Sequence, residues 1–126
     1  MNYEAKYQQG DVLLLKVDKA TFLNQKISCN EVSPEKNNRH ELAYGEETGH
    51  CHAVYLDEML DKAGLTLYKH KYRREGSPAL AMEVSIDNVV IKHEEHKPLT
   101  IPKGFYIQRI VREYNPLTGR TMGVVD

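Results

Sequence analysis

A chain of 126 residues fits one domain with one core, because domains most often run to roughly 100 to 150 residues. Its 18 acidic and 17 basic side chains nearly cancel, which removes a global field as the basis for binding nucleic acid, an anionic membrane or a strongly charged substrate, and leaves only local patches to consider. The two cysteines, Cys29 and Cys51, lack CxxC spacing and are too few for a disulfide framework, so free thiols in a reducing, cytoplasmic setting are expected, with one bridge as the alternative.

The opening segment brackets a short apolar run with charges, a run too short for a signal-peptide core or a membrane span. That run, DVLLLKV (11–17), follows Gly10 and predicts a buried strand. Segment 24–49 contains SPEKNN and GEETG, whose Pro, Asn, Ser and Gly content predicts turns and a long loop. HCHAVYL (50–56) alternates, placing His50, His52, Val54 and Leu56 on one face and Cys51, Ala53 and Tyr55 on the other. DEMLDKAG (57–64) fits one or two helical turns with Asp57 as N-cap. Strands are then expected over 65–72, 79–86, 88–93 and 105–114, separated by RREGSP, by Asp87–Asn88 and by KPLTIPKG.

Short strands at turn-punctuated intervals, with no long helical period, predict a single all-β domain over 1–126: a small β-barrel or sandwich with at most one short helix. Residues 115–126 read as an added edge strand or an arm toward another subunit. The expected core comprises Val12, Leu14, Val54, Leu56, Leu67, Leu80, Met82, Val84, Val89, Ile91, Ile107 and Val111.

Four of the six histidines fall in two tight pairs, GHCH at 49–52 and HEEH at 93–96. Residues two apart on a strand project from one face, so His50 and His52 stand side by side. Val89, Ile91 and His93 share a face by the same parity, which makes His93 the polar end of an inward apolar row, with His96 in the turn beyond. Such clustering has a desolvation and charge cost that a shared ion would offset. His50, His52, His93 and His96 are therefore the expected ligands of one divalent transition metal, whether zinc, iron, manganese, nickel or copper, with Glu47, Glu94 or Glu95 adding an oxygen. Histidines acting as acid and base without metal, or as structural hydrogen-bonding groups, are the competing readings.

A glycine-led HxH, followed some forty residues later by HEEHKPLTIPKGFY, resembles the cupin family over residues 45–106. The resemblance implies a β-barrel, one mononuclear metal held by His50, His52, His93 and His96, and frequent dimerisation. It implies no single reaction, since cupin-like proteins include enzymes, binding modules and proteins without catalysis.

Three functions compete at this level. The first is a metal-dependent enzyme with Glu94 or Glu95 as general acid or base and Arg109 as a contact for a small anionic ligand, Arg109 interrupting the row of Phe105, Ile107 and Val111. The second is a non-catalytic accessory or assembly subunit, of a virus particle or a multi-protein complex, with homo-oligomeric or other protein partners. The third is a small nucleic-acid-binding barrel using YKHKYRR (68–74), which interleaves tyrosines with cations. An edge strand protected by lysines is the plainer expectation for that stretch, so nucleic acid is the less expected partner. Cys51 points away from the flanking imidazoles in a regular strand, which argues against an activated thiol. No phosphate-cradling glycine motif and no GxSxG elbow is present.

Overall fold

A computed structural model describes residues 2–33, 39–44, 51–55, 64–74, 76–115 and 120–123. The fold is all-β with one short helix among these residues. The proposed helix at 57–64 and the core position Leu56 lie outside the described residues, Gly64 excepted.

Strands β1 (Ala5–Gln9) and β2 (Val12–Val17) form a hairpin in register from Ala5↔Lys16 to Gln9↔Val12. The two-residue turn between them holds Gly10 at φ 56°, the left-handed region that glycine enters at low cost and that hairpin turns use. Helix α1 (Lys19–Lys26) follows, capped by the Asp18 carboxylate, which accepts from the Thr21 N–H at 2.8 Å. Hydrogen bonding by the Thr21 side chain, together with that backbone N–H, holds the exposed Asp18 carboxyl below its usual range. The chain continues through β3 (Cys29–Val32), β4 (Arg39–Tyr44), β5 (Cys51–Tyr55), β6 (Leu65–His70), β7 (Ala81–Val84), β8 (Val89–Ile91), β9 (Leu99–Ile101) and β10 (Gly104–Ile110). A last hairpin, β11 (Arg112–Asn115) with β12 (Arg120–Gly123), occupies the segment expected to form an edge strand or arm.

Six strands make one antiparallel sheet in the order β1-β2-β10-β7-β6-β3. Among the described residues its end strands β1 and β3 do not pair, so the sheet is open and the expected barrel closure is absent. Each face is covered differently. On one side Val12, Leu14, Leu65, Leu67, Met82, Val84 and Tyr106 pack with Leu42, Val54, Val89, Ile91 and Ile101 from the pairs β4–β5 and β8–β9. On the other, Leu15, Val17, Tyr68, Ala81 and Ile107 pack with Phe22 of α1, whose ring lies 4.9 Å from Phe105 and 5.7 Å from Tyr68. β2 is apolar almost throughout because both its faces are covered, which is why its sequence does not alternate.

Val12, Leu14, Val54, Leu67, Met82, Val84, Val89, Ile91 and Ile107 are buried as expected. Leu80 and Val111 are only half-buried: Leu80 lies just before β7 against the helix-side cluster, and Val111 sits between β10 and β11, its N–H donating to the Asp11 carbonyl at 2.7 Å. Phe22, Leu42, Ile101 and Tyr106 complete the core, and the Tyr106 hydroxyl donates to the Pro102 carbonyl at 2.6 Å. β5 joins β8 through a two-way backbone bridge, Ala53 N–H to Lys92 O at 3.0 Å and Lys92 N–H to Ala53 O at 2.8 Å. This bridge sets the first histidine strand beside the second.

Candidate metal centre

The bridge sets Cys51 and His52 beside the HEEH segment. His52, on β5, is fully buried, and its ring centroid lies 4.3 Å from His93 and 6.1 Å from His96, with His93 and His96 4.8 Å apart. Three of the four expected histidines thus form one cluster. The fourth, His50, and Glu47 lie outside the described residues.

Two residues that the sequence reading passed over hold His52. Its Nδ1 is 2.9 Å from Gln9 Oε1, and its Nε2 is 3.2 Å from Asp11 Oδ1. Gln9 and Asp11 flank Gly10 in the β1–β2 turn, so the turn presents one amide and one carboxylate to the same imidazole. Gln9 and Asp11 are both buried. Their only sequence signal is a pair of polar side chains immediately before a buried apolar run, a pattern that ordinary turn chemistry also produces.

The tautomer follows from hydrogen-bond bookkeeping. Gln9 Nε2 donates to the carbonyls of Ile91 at 3.0 Å and Lys97 at 2.9 Å, which fixes Oε1 as the atom facing His52. An amide oxygen only accepts, so His52 Nδ1 carries a proton. In the neutral ring Nε2 is then a lone pair, and it faces a carboxylate oxygen. Two lone pairs at 3.2 Å need a cation between them, either a proton or a metal ion. A charge-assisted N–H···O bond is typically about 2.7–2.9 Å, shorter than this separation. Two ligands of one tetrahedral ion, each about 2.0–2.1 Å from it, stand roughly 3.3 Å apart, close to what is found. Gln9 occupies the place of the outer partner that orients a ligating histidine.

The remaining candidates are placed as follows. Glu94, partly exposed, accepts the Cys51 N–H through Oε2 at 3.0 Å, and the same oxygen is 4.0 Å from His93 Nε2. Glu95 is exposed and contributes its backbone N–H to His93 Nδ1 at 3.1 Å. That bond makes Nδ1 an acceptor, so ligation through Nε2, which needs the proton on Nδ1, requires His93 to turn away from Glu95. Among the described residues no three His, Cys, Asp or Glu side chains already stand in metal-holding geometry. Cys51 is buried and its thiol faces the His52 carbonyl at 3.5 Å. Arg109 is exposed opposite Leu13 of β2; it shares the helix-side face with Phe105 and Ile107, as strand parity requires, but stands at the solvent-exposed end of that row.

The span that carries this cluster is also what a family model matches: residues 8–112 fit the family described as Domain of unknown function (DUF8820). The chain belongs to that family. No curated protein and no solved structure matches it significantly. The matched region includes Gln9, Asp11, His52, His93, Glu94 and His96, so the whole cluster lies within the DUF8820 domain.

Proposed function

We propose that this DUF8820 domain is a small binding protein for a divalent transition metal. The ion takes the position between His52 Nε2 and Asp11 Oδ1, and the neighbouring imidazole of His96, with that of His93 once it has turned from the Glu95 N–H, completes its ligand set. The observation that carries the reading is the facing of those two atoms at 3.2 Å, with the proton of His52 committed to Gln9 on the other nitrogen. Imidazole with carboxylate suits zinc, iron, manganese, nickel or copper and disfavours magnesium and calcium, which prefer oxygen-only sites. On this reading Glu94, whose carboxylate is turned toward His93, is the acid–base candidate for any chemistry at the ion, and Glu95 is not.

Asp11→Asn separates the metal from the proton. An asparagine amide donates to the Nε2 lone pair and leaves the fold intact, yet it supplies no charge for an ion. Elemental analysis after zinc loading should find stoichiometric metal in the wild type, loss in Asp11→Asn and His52→Ala, and retention in His40→Ala. Occupancy should fall as pH drops through the imidazole range near 6.5, because the ligands must be deprotonated. Wild-type protein that stays metal-free through zinc, iron, manganese, nickel and copper in turn sinks the reading.

A further inference from the structure

The stretch Lys69–Arg74 is not used by the histidine cluster, and the sheet order gives it a different meaning from that of an edge strand. β6 lies between β7 and β3, so its one lysine, Lys69, does not guard a free edge. Tyr68 is buried, with the Lys26 ammonium 4.9 Å over its ring, which removes it from any surface role. After His70 the chain leaves the sheet in a turn tied down on several sides. Lys71 N–H donates to the Ser28 carbonyl at 3.0 Å, Tyr72 N–H to His70 Nδ1 at 3.1 Å, Arg73 N–H to the His70 carbonyl at 3.2 Å, and Arg74 N–H to Ser77 Oγ at 3.1 Å.

This well-anchored turn carries the most exposed large apolar side chain among the described residues. Tyr72 is 88% exposed, and its ring lies 5.8 Å from the exposed ring of His70 at 53°. Lys71, Arg73 and Arg74 are exposed around it, and Lys69 is half-exposed. In a chain of formal net charge −1, four cations thus fall within six residues, interleaved with two accessible rings.

We propose that this turn binds single-stranded nucleic acid. An exposed ring held on a fixed backbone offers a stacking platform that every base can use, and only an unpaired strand offers a free base face. Tyr72 stacks one base and His70 its neighbour. Lys71, Arg73 and Arg74 neutralise the flanking phosphates, with Arg73 already steered by its own Nη1 contact to the His70 carbonyl at 3.4 Å. The interaction is sequence-tolerant, because no described side chain from Lys69 to Arg74 is a buried donor or acceptor that could read a base edge.

Fluorescence anisotropy with labelled short oligouridylate and oligothymidylate tests this on the full chain. Tyr72→Ala should weaken binding about five-fold or more, the low end of what one base–aromatic stack contributes. Neutralising three phosphates gives a salt slope of about −2, so affinity should fall roughly ten- to twenty-fold from about 50 to about 200 mM salt. Combined Lys71→Glu, Arg73→Glu and Arg74→Glu should abolish binding while the circular dichroism spectrum stays that of the wild type, since all three side chains are exposed. Failure of the wild type to bind either oligonucleotide overturns the proposal. So does binding that neither set of changes alters, or binding to phosphatidylserine vesicles without binding to the oligonucleotides.

Discussion

Two buried histidines on the same β4–β5 pair are handled in opposite ways. His52 is surrounded by Gln9, Asp11, His93 and His96, and both of its nitrogens face partners. His40, opposite Val54 on β4 and only 3% exposed, has neither Nδ1 nor Nε2 in a hydrogen bond among the described residues. The two side chains have the same chemistry and similar burial, so the contrast isolates what polar company does. An imidazole supplied with partners can be held in one tautomer and used. One without them costs free energy, and burial pushes its pKa below the ordinary value.

The largest test of the contrast removes the partnered ring. His52→Ala leaves Asp11 and Gln9 facing a void, and loss of one member of a buried polar pair typically costs about 3–5 kcal/mol. Urea unfolding in chelator should read a loss of that size, and a loss below about 1 kcal/mol would mean that the network carries little. Ile91 sharpens the comparison from the apolar side, since its side chain fills the core while its carbonyl accepts from Gln9. Ile91→Ala should cost about 2–5 kcal/mol by the same measurement, and a near-zero cost would place that side chain outside the core.

Replacing the unpartnered ring should act in the other direction. His40→Leu exchanges two unsatisfied nitrogens for apolar volume and is expected to stabilise by about 1–3 kcal/mol at neutral pH. A destabilisation would show that His40 has company in solution. The smallest effect is in the pH dependence. His40 has a depressed folded-state pKa, so the unfolded chain binds its proton first. Stability is then lost as pH falls below the unfolded value near 6.5, and the loss levels off below the folded value. His40→Leu should remove that share of the acid slope, whereas an unchanged slope would assign it elsewhere.

The contrast also marks how far sequence could reach. Strand parity put His52 on an inward face and His93 at the end of an inward row, and Val89 and Ile91 are buried as that parity requires. Parity cannot say which strands adjoin, so the Ala53–Lys92 bridge and the contribution of the β1–β2 turn were beyond it. Gln9 and Asp11 look like turn residues because they are turn residues, and their second role depends on a strand some forty positions away. Helix α1 escaped for a different reason. Its sequence KATFLNQK buries a single side chain, Phe22, and one apolar contact sets no period. β4 was concealed by the Pro- and Asn-rich residues before it. Lys69 and Lys71 suggested an edge strand because charge alternation looks alike on an edge and on the exposed end of an interior strand.

Gln9 also bears on the order in which the molecule comes together. Through its one amide it ties the first hairpin to His52, 43 positions on, and to Lys97, 88 positions on. Closing loops of that length is slow relative to forming the hairpin itself, because chain entropy is lost before the contacts form. The cluster therefore assembles after the hairpin, when β5 and the β8–β9 connection have both docked. The Ala53 and Lys92 amides, bonded across that junction, should exchange with solvent deuterium only when the junction opens, so their protection reads the free energy of that opening.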